Sequence, residues 1–402
     1  MRRTWSFKRL FSVDPADLAP SAQRDLRLDF FRGLALIFIF LDHIPSNVVN
    51  NWLTVRNYGF SDAAEIFIFI SGYSAAIAYG GTMRRAGFPL AAAQILRRCW
   101  QLYVAHIFIF MIFTAQIAYV AARFNNPLFA EEMQIIELVN DPQSTLVQGL
   151  LLKFRPVNLD ILPLYIVLLL VFPVVLWALE RWPAWVIAIS AFLYGFTQAT
   201  HINFPGYPPG EVWFFNPFAW QFLFVIGALL GRVHGSPQPA VPPRPWLLAV
   251  AGAYLLFALA VVLSWHLPRL QGHFPPPWLG AILYPINKTN LDPLRLSHFL
   301  ALAYVTVTLV RPHTAFLRWR VCRPILRCGQ QSLYVFCVGI LLSFTSHFFL
   351  VEVDDSLGMQ VLVSAAGVAI MIGLAYLIAW YRRASQTAAA ARQGRAQMAG
   401  GE

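Results

Sequence analysis

Residues 31–47 read FRGLALIFIFLDHIPSN: an apolar run from Gly33 to Leu41 that then sets Asp42 and His43 side by side. Runs of this kind recur along the 402 residues, of which 58% are hydrophobic and only 12% charged, with a mean hydropathy of +0.57. That balance is too apolar for a water-soluble globule and fits a polytopic integral membrane protein, in which each helix needs roughly 20 apolar residues to cross the bilayer. The fold class is therefore all-α. About ten transmembrane helices are expected, over residues 30–48, 62–80, 99–122, 161–180, 183–200, 213–231, 246–265, 293–311, 328–350 and 359–381. The polar start, MRRTWSFKRLFSVDPADLAPSAQRD, has neither the apolar core nor the small-residue cleavage site of a secretory leader. The first apolar run is expected to remain as a span.

With both termini in the cytoplasm, only 7 of the 30 Lys and Arg fall on the outer side: Arg56, Arg123, Lys153, Arg155, Arg269, Lys288 and Arg295. That asymmetry is the positive-inside pattern and supports this orientation. The organisation expected is a cytoplasmic N-terminal tail over 1–23, a ten-helix transmembrane domain over 24–383, and a solvated or disordered cytoplasmic tail over 384–402, rich in Ala, Gln and Arg. The long outer connection at about 123–160 carries FAEEMQIIELVN and is expected to form a short amphipathic helix on the outer surface. No internal repeat is evident.

Ionisable residues inside apolar runs are costly, so each is a functional candidate. Counting 1.5 Å per residue from Arg32 places His43 about 16 Å above the inner charged collar, near mid-membrane. By the same count from Arg84, Tyr73 lies at a similar height and Glu65 close to 30 Å up. Asp62 and Glu65, three residues apart in SDAAE, open the second run, where negative charge also suits a helix N-terminus. His298 sits about 20 Å above Arg311. Just outside it, NKTNLDPLRLSH gathers Lys288, Asn290, Asp292 and Arg295, either a solvated loop or a cationic rim for an anionic substrate or sugar hydroxyls. At the inner face Arg24, Arg32, Arg97 and Arg98 serve either as positive-inside anchors or as a phosphate-binding patch.

The net charge of +11 is scattered in short clusters between apolar runs, which argues against nucleic acid as a partner. Cys99, Cys322, Cys328 and Cys337 show no paired metal spacing and are expected to be free thiols. No metal is expected, and no HExxH, GxSxG or Walker loop occurs, so any chemistry comes from dispersed helix residues.

Taken together, the segments RDLRLDFFRG, LDHIPSN, YGFSDAAEIFIFISGY, NLDILPLYIVLLL, FNPFAWQFLFVIGALLG, KTNLDPLRLSHFLALAY and LRCGQQSLYVFCVG resemble the OpgC family of membrane acyltransferases, which add succinyl groups to osmoregulated periplasmic glucans. The resemblance extends from Arg24 to about Gly339. More distantly, the chain is similar to heparan-glucosaminide N-acetyltransferase and other integral-membrane acyltransferases. These resemblances imply residence in the bacterial inner membrane and transfer of an acyl group from acyl-CoA (succinyl-CoA in the OpgC case) inside to a periplasmic glucan outside, with no metal. Joined to that reaction, the depth and chemistry of the residues point to His43 as general base, Asp42 or Glu65 as its support, and Arg24, Arg32, Arg97 and Arg98 on the CoA phosphates. Asp62, Tyr73, Lys288, Asn290 and His298 are then the substrate-binding candidates. The rival class is a transporter or flippase for an anionic or lipid-linked saccharide, in which the same residues relay protons.

Overall fold

The computed structural model describes residues 25–236, 241–267, 269, 274–312 and 314–399. Among these residues the secondary structure is helical, apart from one isolated bridge between Pro205 and Val212. Five helices are long and apolar enough to cross a membrane: Ala63–Arg123, Ile161–Arg181, Pro245–His266, Ser332–Glu352 and Leu357–Thr387. Every one of the ten apolar runs read from the sequence falls on a helix.

The chain divides into two compact units. The first covers Asn51–Arg311 of the described residues, and the second joins Asp25–Asn50 to the chain from Pro312 onward.

The second unit holds α1 (Leu26–Asp42), and α1 ends earlier than the apolar run suggested. Pro45 disfavours helical geometry just before it, so the helix stops at Asp42 and His43 becomes its C-cap. Asp42 and His43 therefore stand at a helix end rather than within a continuous span. At the other end of α1 the Asp25 carboxylate caps the helix by accepting from the Arg27 backbone N–H.

In the first unit, α2 (Ala63–Arg123) runs for 61 residues. At 1.5 Å per residue that is about 90 Å, three times a bilayer core and too long for one straight crossing. Gly87 divides it: its φ of +78° lies in the left-handed region, which costs glycine least, and Pro89 follows two residues later. The unit continues with α3 (Ile161–Arg181), α4 (Pro183–Thr200), α5 (Pro217–Arg232), α6 (Pro245–His266) and α7 (Pro293–Leu309), of which α3, α5 and α7 pack against α2. The expected surface helix in the long connection is instead three short ones, Leu128–Glu132, Ile136–Asn140 and Pro142–Leu150, with Phe129, Met133 and Ile135 buried.

Glycines let α2 and α5 meet backbone to backbone. A Cβ on Gly72 would collide with the Phe224 carbonyl, one on Gly227 with the Phe69 carbonyl, and one on Gly231 with the Tyr73 carbonyl. Gly227 and Gly231 are the small residues of a GxxxG pattern, which permits this approach in a bilayer where apolar burial gives no driving force between helices.

The second unit repeats the device. After α7 come α8 (Arg323–Gln330), α9 (Ser332–Glu352) and α10 (Leu357–Ala399). Gly33 on α1 and Gly329 on α8 leave room for the carbonyls of Ile325 and Asp29 respectively. Gly367 on α10 accommodates the ring of Phe40, one turn before His43. α10 continues through the expected tail to Ala399, Ala, Gln and Arg being strong helix formers.

Gly227→Ala should destabilise the protein by about 1–3 kcal/mol, the usual cost of overpacking. Gly195, which has nothing within 4 Å of its added Cβ, should tolerate Ala with no loss. Unfolding midpoints of the two variants in one detergent check this; equal midpoints would refute the close crossing.

Candidate functional site

The segment leading into α2 brings the ionisable residues of the first unit together. Asp62 is in extended geometry and its carboxylate accepts from the Ala64 N–H at 2.8 Å, while the Glu65 carboxylate accepts from the Asp62 N–H at 2.9 Å. This reciprocal capping box satisfies N–H groups that a helix start leaves open. It also fixes two carboxylates side by side in the protein interior: Glu65 is fully buried and Asp62 is 6% exposed.

Cations from the far side of the sequence meet them. On the first turn of α7, Arg295 Nη2 lies 2.7 Å from Glu65 Oε1 and 3.0 Å from Asp62 Oδ2, and Nε donates to Glu65 Oε1 at 2.8 Å. Lys288 Nζ contacts Asp62 Oδ2 at 2.6 Å and sits over the Phe215 ring. The four charges balance, which is the condition for burying them in a low-dielectric interior. Lys288, with 30% of its side chain exposed, is the most accessible member.

One turn beyond Arg295, His298 Nδ1 lies 2.8 Å from the Ser61 hydroxyl. Both residues are buried, and the imidazole fits because residue 59 is glycine: a Cβ there would strike His298 Nε2. Phe60, between Gly59 and Ser61, packs into a core formed by Ala258, Val261, Val262 and Leu283, and so anchors this segment. α7 thus fastens the start of α2 at two points, the guanidinium on the carboxylates and the imidazole on Ser61.

Asn290 is tied into the loop that carries Lys288. Its amide donates toward His201 Nδ1 at 3.1 Å and its side-chain oxygen accepts from Asn216 at 2.8 Å, while Trp220 Nε1 donates to the Lys288 and Thr289 carbonyls. Asp292 then caps α7 by accepting from the Leu294 N–H. Below the loop, Arg155 holds Asp160 at 3.0 Å and stacks over Trp213. Burial pushes the Asp160 carboxyl above its ordinary range, against the opposing pull of Arg155.

Tyr73 stands elsewhere on α2, its hydroxyl 3.0 Å from His234 Nδ1. Eight residues beyond Glu65, it is about 12 Å along the helix from the carboxylates. Arg97 is exposed and Arg98 half-buried on the second limb of α2, where Arg98 donates to Gln101. Arg24 lies outside the described residues.

In the second unit Asp42 and His43 are half-buried. The Ile39 carbonyl accepts from the His43 backbone N–H and contacts Nδ1 of its ring. A carbonyl can only accept, so the ring proton belongs on Nδ1 and the basic lone pair on Nε2. Arg32 lies in the same unit, as does Asp29, whose carboxylate accepts from the Gln330 amide. The segment after His43 is held by Asn47, which donates to Ser364, and by Gln360, which accepts from the Val48 N–H.

The sequence marks Asp62 with Glu65, and Lys288 and Arg295 with His298, as two groups, and the structure joins them. Sequence reasoning missed Ser61, which carries no charge and whose partner is 237 residues away.

A family model described as OpgC protein matches residues 24–383. No match was found among the curated proteins.

Arg295→Met, which strands the buried Glu65 carboxylate while Asp62 keeps Lys288, should cost about 3–5 kcal/mol of stability. Lys288→Met, at a partly exposed pair, should cost about 1 kcal/mol or less. Combining Arg295→Met with Glu65→Gln should recover part of the loss. A double-mutant cycle from unfolding midpoints checks this, and strict additivity would contradict the direct pairing.

Proposed function

The chain belongs to the OpgC family, and from that membership we propose that it transfers a succinyl group from succinyl-CoA on the cytoplasmic side of the bacterial inner membrane to a hydroxyl of a periplasmic glucan. The family implies a glucan succinyltransferase type of role. The observation that carries the catalytic assignment is the ring of His43, whose Nδ1 faces the Ile39 carbonyl and whose Nε2 is therefore the basic nitrogen.

In this reading Nε2 of His43 takes the proton of the glucan hydroxyl as its oxygen attacks the thioester carbonyl. The tetrahedral intermediate collapses with cleavage of the C–S bond. The thiolate leaves and receives the proton from the imidazolium, giving free CoA and an ester on the sugar. Asp42, next to His43 in the same unit, is the carboxylate proposed to support the cationic imidazole. A histidine suits the task because its ordinary titration lies near neutrality, so it can both take and return the proton.

Recognition of the acceptor is assigned to the charged mouth of the first unit, where Lys288 is the accessible cation beside Asp62, with Asn290 and His298 behind it. Charged and amide groups of this kind pair with sugar hydroxyls, and the neighbouring Phe214 ring, 46% exposed, offers an apolar face. The donor's phosphates are assigned to the inner arginines, Arg24, Arg32, Arg97 and Arg98 among them. The ten apolar helices are read as ten crossings with both termini in the cytoplasm, which puts donor and acceptor on opposite faces.

His43→Ala should lower glucan succinylation by about 10²–10⁴-fold, the range of general-base catalysis. Mass analysis of periplasmic glucans from cells with matched protein levels checks this. Undiminished substitution in the variant would end the assignment of His43.

A further inference from the structure

Asp160 stands at the N-cap of α3 and yet does not cap it. Asp25, Asp62, Asp141 and Asp292 occupy the same position on their own helices, and each side chain accepts from a backbone N–H of the first turn. A capping side chain takes its hydrogen bond from the second or third helical residue, and in α3 the third is Pro163, which has no N–H. The Asp160 carboxylate turns instead to Arg155, where Oδ1 accepts from Nε at 3.0 Å.

That pair is one-sided. In the Asp25–Arg27 pair the guanidinium reaches both carboxylate oxygens. Arg155 instead directs its other donors to backbone, Nη1 to the Leu152 and Lys153 carbonyls and Nη2 toward that of Val212, and its guanidinium lies 4.5 Å from the centre of the Trp213 ring. Arg155 is thereby locked, with 5% of its side chain exposed, whereas Asp160 keeps 17% exposed. Among the described residues none donates to Oδ2 of Asp160.

The groups around Asp160 also open outward. Burial raises its carboxyl while Arg155 and Lys288 lower it, so the Lys288 ammonium lies within electrostatic range of Asp160 as well as 2.6 Å from Asp62. An ammonium has three donors, and the contact with Asp62 leaves others for a ligand. Lys288 has 30% of its side chain exposed, and the Phe214 ring, centred 5.9 Å from Nζ, is 46% exposed. A carboxylate, an ammonium and an aromatic face, each reachable from outside the protein, suit a neutral polyhydroxyl. Its hydroxyls donate to the carboxylate and accept from the ammonium.

We propose that Asp160 is a substrate-binding residue whose second oxygen accepts from hydroxyls of the glucan, beside Lys288 and Phe214, with Arg155 as its positioning residue. The proposal rests on the acceptor reading above and extends that site to the start of α3.

Full-length protein in phosphatidylcholine nanodiscs, titrated separately with unsubstituted periplasmic glucan isolated from cells lacking the gene and with succinyl-CoA, tests it. Asp160→Asn keeps an oxygen for Arg155 and turns an amide, a donor, toward the ligand. It should weaken glucan binding at least tenfold and leave succinyl-CoA unchanged; in turnover, KM for glucan should rise at least tenfold with kcat nearly unchanged. Glucan affinity unchanged in Asp160→Asn overturns the assignment and leaves the acceptor reading standing. Should Asp160→Asn lose both ligands, Asp160→Glu decides, because it keeps a carboxylate for Arg155 while shifting the second oxygen by one methylene. Glucan weakened with succinyl-CoA intact upholds the site, and any other result in that variant overturns it. A wild type that binds no glucan overturns the acceptor reading itself.

Discussion

Burying charge in an apolar interior is allowed only where the charges balance and their hydrogen bonds are met. The start of α2 is built around that condition. The capping box sets Asp62 and Glu65 where the helix needs acceptors, and the same carboxylates then require Arg295 and Lys288. Meeting that demand fixes the first turn of α7, the loop of Lys288 to Asp292, and through Asn290 the ends of α4 and α5. Local helix chemistry and long-range assembly thus share one set of atoms. A change at Glu65 would be felt in helix capping, in inter-helix pairing and in the charged mouth together.

Much of this architecture was legible in the sequence because the bilayer imposes a simple rule of length and polarity. Ten apolar runs located the helices, and the SDAAE segment announced a helix start at Asp62, whereas the cap that Asp292 gives α7 emerged only from the structure. Where the sequence misled, a local steric rule overrode the apolar pattern. Pro45 ended α1 at Asp42, and Gly87 with Pro89 placed the break of α2 within a stretch that otherwise stays helical. The pairings were the least legible part. Ser61 with His298, Glu180 with Arg232 and Tyr73 with His234 join residues far apart in the chain, and no spacing rule connects them.

Fixing the His43 tautomer sharpens the chemical reading. A histidine within a helix could have turned either nitrogen to its neighbours, but at the C-cap the Ile39 carbonyl selects Nδ1 for the proton. Family membership across residues 24–383 supplies the type of reaction.

The central claim is that the acyl group crosses the membrane. Protein oriented in sealed proteoliposomes, given labelled succinyl-CoA on one face only and glucan on the other only, tests it most directly. The account predicts succinylated glucan when the donor is on the face of Arg97 and Arg98 and the acceptor opposite, and none in the reverse arrangement. Product formed only when donor and glucan share a face would contradict it.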